Sequence, residues 1–309
     1  HNLPNDTLFV PSGTTVYIDG GARVYGNIFT EGAHDVNIFG RGEVHPDGRG
    51  AGVWVRRSKN VRIDGIVVSQ LPIGQCDSVE LTNVKSISYY GWGDGMDVFS
   101  SSNVILDGVF CRNSDDCAAV YASTQGFKGG SNNVLVKNAT LWADVAHPIN
   151  IGGHGDPNGM DTVQNVTFRN IDILDQAEKQ IDYQGCLAIN PGDNTLVRNI
   201  TFENIRIEDF RNGQLVNFRI SFNPKYCVST GRGIQNVLVK DVTYNGSGEN
   251  LSIIAGYDEN HKISGIRFVN LVVNGRKITD DMPGKPKWYK TGDMAGIFVG
   301  EHVENLSFE

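Results

Sequence analysis

Short runs in which apolar and polar residues alternate recur along the whole chain. Each run opens with a small polar residue, followed by an apolar residue, a spacer and a second apolar residue, as in Asn60-Val61-Arg62-Ile63. The clearest copies open at Asp35, Asn60, Asn103, Asn133, Asn165, Asn199 and Asn236, and weaker copies open at Asn83, Ser264 and Asn305. Because successive side chains of a strand point to opposite faces, this period of two predicts short, half-buried β-strands.

The spacing of these copies predicts how the strands are arranged. Successive openings from Asp35 to Asn236, counting the one at Asn83, lie 20 to 37 residues apart, and such a repeat of strands and turns is typical of a solenoid. No stretch keeps an amphipathic helical period, and blade signatures of a β-propeller are absent from the sequence. We therefore predict an all-β fold, a right-handed parallel β-helix of about ten turns, with residues 1–309 as a single domain. The opening asparagines should stack into a hydrogen-bonded ladder at one corner.

Composition excludes several classes of protein. Glycine supplies 37 of the 309 residues and only 20% of residues are charged, which suits a turn-rich solenoid that grows by adding turns. The balance of 27 basic against 35 acidic residues gives a net charge of −8, which disfavours a nucleic-acid partner. No apolar run approaches the ~18 residues of a membrane-spanning helix, so we expect no membrane partner.

The five cysteines form an odd set without metal-ligand spacing. We expect mostly buried thiols with at most one or two disulfides, no metal and no other cofactor, in a monomer. The chain begins at His1 with no signal-like segment, and we interpret it as a mature or trimmed fragment.

Three aspartates stand out in a chain with little charge. Asp94 lies 21 residues before Asp115, which is followed directly by Asp116. One turn of a β-helix would stack the side chains of Asp94 and Asp115 about 4.8 Å apart. Crowding of carboxylates raises the pKa of at least one of them, which suits a protonated general acid beside an ionised base.

The pair Asp115-Asp116 poses a geometric problem, because adjacent residues of a flat strand point to opposite faces. Either the chain bends there, so that both side chains reach one cleft, or one carboxylate is a buried hydrogen-bond acceptor. Taken alone, two adjacent aspartates are most often a solvated turn.

At these residues the sequence resembles a known group of enzymes. The runs Gly93-Asp94-Gly95-Met96-Asp97-Val98 and Asn113-Ser114-Asp115-Asp116-Cys117 resemble the polygalacturonase family, glycoside hydrolase family 28, whose signature is Asn-Thr-Asp-Gly-Phe-Asp followed one turn later by Gln-Asp-Asp-Cys. The stretches Ala139-Thr140-Leu141-Trp142 and His147-Pro148-Ile149-Asn150-Ile151-Gly152 are similar to the related dextranase and isopullulanase family, family 49. Both families form right-handed parallel β-helices that hydrolyse glycosidic bonds with inversion. The resemblance implies that this single domain is catalytic, acts on a polysaccharide or oligosaccharide, and is secreted, extracellular or periplasmic.

The resemblance also implies roles for individual residues. Asp115 would be the general acid, and Asp94 and Asp116 would hold and deprotonate the attacking water. Inversion generally places acid and base about 6.5–9.5 Å apart. His147 matches the histidine of the family motif Gly-His-Gly-Leu-Ser-Ile-Gly, and His154, in a literal Gly-His-Gly, is a second candidate near the substrate.

The substrate prediction depends on a departure from the family. Polygalacturonases continue with Arg-Ile-Lys, whose cations bind the substrate carboxylate, but the matching residues here are Ala188-Ile189-Asn190. We therefore expect a neutral α-linked glycan, in the manner of dextranases, with Asn190 bonding its hydroxyls. Arg219 and Lys225 would restore a cation, which keeps a polygalacturonase-like pectin hydrolase open. Further predicted substrate contacts, including aromatic platforms for sugar rings, are Trp92, Asp97 and Tyr183.

A non-catalytic β-helix, such as an adhesin, a tailspike-like stalk or a glycan-binding module, is the alternative from another class. It predicts acids scattered over several faces of the solenoid. Convergence of Asp94, Asp115 and Asp116 on one open groove distinguishes the hydrolase from it.

Overall fold

The computed structural model describes residues 2–248 and 250–309, which form strands joined by turns and loops. In the first half of the chain the strands are β1 (Asn2–Phe9), β2 (Thr15–Ile18), β3 (Arg23–Glu31), β4 (His34–Gly40), β5 (Glu43–His45), β6 (Val53–Arg56), β7 (Lys59–Asp64), β8 (Val67–Val68), β9 (Ile73–Gly74), β10 (Asp77–Thr82), β11 (Lys85–Ile87), β12 (Met96–Phe99), β13 (Ser102–Asp107), β14 (Phe110–Asn113), β15 (Ala118–Tyr121) and β16 (Ser131–Ala143). The remaining strands are β17 (Ile149–Ile151), β18 (Thr162–Asp175), β19 (Leu187–Ile189), β20 (Leu196–Ile207), β21 (Val216–Arg219), β22 (Gly233–Tyr244), β23 (Ser252–Ala255), β24 (Ile263–Val273), β25 (Arg276–Ile278), β26 (Ile297–Val299) and β27 (Val303–Phe308). Two short 3₁₀ helices span Ile181–Tyr183 and Thr291–Ala295.

These strands coil into a right-handed parallel β-helix, as predicted. The pairings are parallel except that of β24 with β25, taking the described residues. The strands β2, β4, β7, β10, β13, β16, β18, β20, β22, β24 and β27 pair in succession along one face, close to the ten turns expected. In that stack Val61 pairs with Val79 and Val79 with Val104, so the copies that open at Asn60 and Asn103 place their first apolar residues in one column of the core. The copy between them opens at Ser78, not at Asn83 as the sequence predicted, because Val79 rather than Val84 occupies the column.

A second stack, which we call the site face, consists of β9, β12, β15, β17, β19, β21, β23 and β26, paired in that order. The strands run in parallel, so the loops that enter them lie along one edge and the loops that leave them along the opposite edge. We call these the entry edge and the exit edge. The loops on both edges provide the walls of a groove whose floor is the site face.

The predicted asparagine ladder is present at the corner where the repeats open. Asn133 Nδ2 donates to Asn103 Oδ1 at 2.7 Å, and Asn103 Nδ2 donates to Asp77 Oδ1 at 2.7 Å. Asn103 and Asn133 adopt φ of 57° and 58°, the left-handed region that asparagine tolerates better than most residues. A second ladder that the repeat analysis did not predict runs through Asn170 and Asn138 at 2.7 Å.

All five cysteines are buried and unpaired, in agreement with the expectation of mostly buried thiols. No helix among residues 2–248 and 250–309 is long and apolar enough to cross a membrane.

Candidate active site

A cavity of about 570 Å³ opens on the site face at the turns that contain β12, β15 and β17. Nine of the residues singled out in the sequence line it: Trp92, Asp94, Asp97, Asp115, Asp116, His147, His154, Tyr183 and Lys225. The acids therefore converge on one groove rather than scatter over the solenoid, which is the arrangement expected of a hydrolase and not of a structural β-helix.

The three aspartates meet because the site face holds its strands in register. Met96 pairs with Ala118, and Ala118 with Ile149. Asp94, Asp116 and His147 each lie two residues before one of these paired residues, so they occupy equivalent positions on successive turns. Asp94 is therefore aligned with Asp116, not with Asp115 as the spacing of 21 residues suggested.

The bend between β14 and β15 solves the geometric problem of the adjacent pair. Ser114 and Asp115 lie in this bend, and both Asp115 and Asp116 line the cavity. Asp115 is partly exposed, whereas Asp116 is only 4% exposed. One oxygen from each of Asp94, Asp115 and Asp116 lies within 4.8 Å of the others.

Asn113 and a glycine keep this bend close to Asp94. Asn113 Nδ2 lies 3.0 Å from both Ser86 Oγ and Ser88 Oγ and 3.3 Å from the Asp94 carbonyl. A Cβ at Gly95 would lie 2.2 Å from the Cys117 carbonyl oxygen and 2.6 Å from Asn113 Oδ1. Residue 95 must therefore be glycine for the two turns to approach this closely.

Asp116 is an ionised carboxylate whose acceptor sites are filled by protein donors. Its Oδ1 accepts from the His147 backbone N–H at 3.1 Å and lies 2.6 Å from His147 Nδ1. Its Oδ2 accepts from Tyr121 Oη at 2.5 Å and from Asn150 Nδ2 at 2.8 Å. Burial alone would raise the pKa of Asp116, but the charge and hydrogen bonds of His147, with those of Tyr121 and Asn150, hold that pKa at about 2.

His147 is the matching half of this pair. Burial opposes protonation of His147. The charge and hydrogen bond of Asp116 outweigh this effect of burial and raise the pKa of His147 above its ordinary value. Its Nε2 has no hydrogen-bond partner among the described residues. The raised pKa favours the imidazolium form of His147 beside Asp116, at the base of the acid cluster.

Three other aspartates of the cavity hold their protons more tightly than Asp116 does. Burial, followed by the charge of Asp116, raises the pKa of Asp94 to about 7. Burial, followed by the charges of Asp116 and Asp94, raises the pKa of Asp115 to about 8. Burial and the same three carboxylates raise the pKa of Asp97, whose Oδ1 has no partner among residues 2–248 and 250–309. The cluster thus combines Asp116, which is ionised at neutral pH, with Asp94 and Asp115, which exchange protons near neutral pH.

Aromatic and cationic side chains complete the cavity. Trp92 is 65% exposed on the entry edge and adopts φ of 61°, a strained conformation for a bulky residue. Tyr183 contacts Tyr226 edge to face, with ring centroids 4.9 Å apart. Lys225 Nζ lies 4.7 Å from the centroid of the Tyr226 ring. The His154 ring packs edge to face on Tyr121 at 5.0 Å.

Two predicted residues, Asn190 and Arg219, lie outside the cavity lining. Asn190 is 5% exposed and its Nδ2 donates to Asn217 Oδ1 at 3.1 Å. Arg219 Nη1 is 2.6 Å from Asp182 Oδ1. The physical reason is that the 3₁₀ helix at residues 181–183 lies over this part of the site face and occupies the Arg219 side chain. The structure places neither residue in the lining of this cavity, and contact of either one with substrate stays a prediction.

The lining residues that sequence reasoning missed include Tyr121, Asn150, Glu178 and Gln180. Asn150 stands inside the quoted His147 motif, where its alternation with Ile149 and Ile151 already predicted an outward side chain. Glu178 and Gln180 lie in an irregular loop, where no periodic pattern signals their placement.

The carboxylate cluster also has the donor set of a divalent-cation site. At neutral pH the raised pKa values of Asp94 and Asp115 favour protons on these two groups, which weakens them as ligands. The expectation of no metal stays a prediction.

Comparison with known proteins decides the family. The sequence profile of Glycosyl hydrolases family 28 matches residues 51–281, about three quarters of the chain. The chain belongs to this family.

Relatives in family 28 include a polygalacturonase from Juniperus ashei, 26% identical over 216 residues, which make up 67% of this chain and 39% of the relative. A probable endopolygalacturonase D from Neosartorya fischeri is 25% identical over 283 residues, covering 79% of this chain and 55% of the relative. The chain thus spans about half the length of such relatives or less.

Among solved structures, the family 28 exopolygalacturonase of Yersinia enterocolitica superposes with a TM-score of 0.68 at 14% identity, over 97% of this chain and 70% of that one. An exopolygalacturonase from Thermotoga maritima superposes with a TM-score of 0.54 at 15% identity, over 87% and 84% of the two chains. At these identities the likeness concerns the fold, and it agrees with the right-handed parallel β-helix.

Proposed function

We propose that this protein hydrolyses α-glycosidic bonds in a galacturonic-acid-containing polysaccharide of the pectin type. The observation that carries the proposal is the convergence of Asp94, Asp115 and Asp116 in one cavity of a family 28 chain, with pKa values of about 7, 8 and 2. Such a spread lets neighbouring carboxyl groups act as acid and base at one pH. The relatives named as polygalacturonases supply the substrate class.

Asp115 acts as the general acid. It is partly exposed in the bend before β15, and its raised pKa keeps it protonated at neutral pH. It donates this proton to the glycosidic oxygen as the bond to the anomeric carbon breaks, which avoids expulsion of an alkoxide.

Asp94 acts as the base for the attacking water. A carboxylate has about four acceptor sites, and protein donors occupy those of Asp116. Asp116 therefore stays ionised and stabilises the positive charge that develops on the sugar ring, while Asp94 takes the proton of the water. After one turnover Asp94 holds a proton and Asp115 has lost one, and exchange with solvent restores both.

We expect inversion at the anomeric carbon. One carboxylate oxygen of Asp94 lies within 4.8 Å of one of Asp115, which is closer than the about 6.5–9.5 Å usual for inverting pairs. However, the hydrogen bonds that saturate Asp116 make it a poor nucleophile, so water remains the attacking group. An α-linked substrate would then release the β-anomer first.

Lys225 supports an acidic substrate. In the described part of the chain it is the one lysine or arginine that lines the cavity. The hydrogen bond to Tyr226, with the charges of Glu178 and Asp115, raises its pKa, so it is fully charged at neutral pH. A substrate carboxylate beside Lys225 would form a charge-assisted hydrogen bond.

A neutral glycan is the second candidate. It is favoured by Ala188 and Asn190, which stand where the family carries its two cations.

The deciding experiment digests polygalacturonate, dextran, pullulan and α-1,3-glucan with the wild-type protein and follows reducing ends and the first-formed anomer by proton NMR. We expect turnover of polygalacturonate and a rise in its KM in Lys225→Met, with little change in the control Lys179→Met, whose side chain is exposed and outside the cavity lining. Turnover of dextran alone would establish the neutral-glycan reading. Binding without turnover of any polymer would establish a carbohydrate-binding module.

A further inference from the structure

We propose that the groove is closed at its end toward the C-terminal turns, and that the protein therefore removes short units from chain ends rather than cutting polymers internally. This inference rests on the proposed hydrolase function. It concerns where along the polymer the acids act, and it follows from contacts between the two walls of the groove.

Loops from opposite edges meet above the site face. The loop at residues 176–184 enters β19 and so belongs to the entry edge, whereas the loop at residues 220–232 leaves β21 on the exit edge. The Tyr183 and Tyr226 rings are in contact, with centroids 4.9 Å apart. Gln180 Nε2 also lies 3.2 Å from Tyr226 Oη. A contact between the two edges must pass over the strands between them, so it spans the groove.

The floor beneath this bridge is occupied by protein. Asn217 Nδ2, on β21, donates to the Asp182 carbonyl at 3.4 Å, and Arg219 pairs with the Asp182 carboxylate at 2.6 Å. Ala188 and Asn217 are in one column of the site face, paired with each other, and both are 0% exposed. Side chains that would otherwise face the groove are thus covered by the 3₁₀ helix at 181–183, which leaves no path for a sugar chain along the floor.

The opposite end of the cavity is built differently. Trp92 and Gln125 line it from the two edges, and Trp92 is 65% exposed. Beyond them Phe127, from the exit-edge loop after β15, packs on this face between Phe99 and Trp54, with ring centroids 6.1 and 6.5 Å away, and is 1% exposed. The aromatic surface then continues with Phe29, stacked 6.2 Å from Trp54, and Phe9, which is 70% exposed. Aromatic faces suit the C–H faces of sugar rings, so the rest of the polymer leaves the cavity on this side.

The catalytic acids lie close to the closed end. Asp115, Lys225 and Tyr226 line the same cavity, and the charge of Asp115 contributes to the raised pKa of Lys225. A polymer whose scissile bond sits at Asp115 has room for only a short segment before it meets the Tyr183–Tyr226 bridge. Cleavage of an internal bond would need polymer on both sides of Asp115, and the Tyr183–Tyr226 bridge leaves no room for a long segment on one side.

The test compares solution viscosity with the release of reducing ends during digestion of polygalacturonate, or of whichever polymer the substrate panel identifies, together with the sizes of the earliest products. We expect short products from the first time points and a slow fall in viscosity. An early ladder of intermediate sizes with rapid loss of viscosity would overturn the inference. Absence of turnover on every polymer would instead refute the proposed function.

The bridge itself is tested with the double variant Tyr183→Ala/Tyr226→Ala. Opening this end should raise the share of internal cuts severalfold, seen as a faster fall in viscosity per bond broken. Tyr17→Ala, which removes an exposed aromatic outside the groove, should keep the wild-type product pattern. A folded, active double variant with the wild-type pattern would contradict the role of the bridge. If the double variant does not fold, the wild-type product pattern alone decides the question.

Discussion

The asparagine ladder and the aspartate cluster have the same geometry but opposite energetic results. Both place polar side chains at equivalent positions on successive turns. In the ladder, the amide of Asn133 donates to Asn103, which donates in turn to Asp77, at 2.7 Å in each step. An amide carries both a donor and an acceptor, so each turn satisfies the next.

Ionised carboxylates at the same kind of position have no donor for one another. Asp94 and Asp116 therefore repel, and Asp116 finds its donors in His147, Tyr121 and Asn150 instead. Asp94 and Asp115 are left with raised pKa values. Stacking therefore stabilises the solenoid where the side chains are amides. Where they are acids, stacking raises their pKa values, so that they hold titratable protons.

Turning one acid into an amide should have the largest effect. We expect Asp115→Asn to lower kcat by about 10²–10⁴-fold, because it removes the general acid. The same change should raise the stability at neutral pH by about 1–2 kcal/mol, because it removes a crowded, partly buried carboxyl whose pKa is raised in the folded state. Turnover and thermal unfolding of the variant and wild type, at matched pH, check both effects. Unchanged kcat would remove Asp115 from the mechanism.

The pH dependence sharpens the contrast. The proposed mechanism needs Asp94 ionised and Asp115 protonated, so we expect kcat/KM to fall below about pH 7 and again above about pH 8. The pH dependence of folding stability differs from that of activity. Because both folded pKa values lie above the ordinary 3.8, the folded state binds more protons, and these groups make it less stable as pH rises from about 4 to 8. A pH–rate profile without an alkaline limb would contradict the assignment of Asp115.

The reverse substitution, an acid placed in the ladder, should have a smaller effect. Asn103→Asp keeps the acceptor for Asn133 but loses the donor to Asp77 and faces its carboxylate one turn away. We expect a loss of about 1 kcal/mol in unfolding free energy at neutral pH. Urea unfolding measures it, and the loss should shrink at high salt, where exposed charges are screened. A loss independent of salt would point to packing rather than charge.

The smallest expected effect concerns the backbone beside His147. Ala146 adopts φ of 63°, a left-handed conformation in which alanine is strained and glycine is not. Ala146→Gly should therefore stabilise the fold by up to about 1 kcal/mol, as seen by thermal unfolding. The matched change Ala139→Gly, within β16, should destabilise it. A destabilised Ala146→Gly would show that the methyl group packs more than it strains.

The fold and the acid cluster could be predicted from the sequence because both depend on a periodic pattern. The openings at Asn103 and Asn133 predicted the ladder, and the spacing of Asp94 from Asp115 predicted adjacent turns, although the register aligns Asp94 with Asp116. His147 was predicted from the resemblance of its surroundings to a family motif, not from periodicity.

The features that the sequence did not predict lie in loops, where the alternation of apolar and polar residues ends. Asn190 and Arg219 were expected at the substrate, but the helix at 181–183 covers the turn that carries Arg219. Nothing in the sequence places the irregular loop that contains this helix, since its position depends on contacts with β21 and with Tyr226, 30 or more residues away.

By itself, the sequence determined the parallel β-helix, its asparagine corner and the meeting of three aspartates. Each of these follows from a local pattern repeated once per turn, and stacking carries the pattern to the next turn. The folded chain alone shows which carboxylate is saturated with donors and where Tyr183 and Tyr226 meet across the site face. Those properties arise from loops of unequal length. The side chains of these loops meet across the site face, and no repeated sequence pattern predicts their positions.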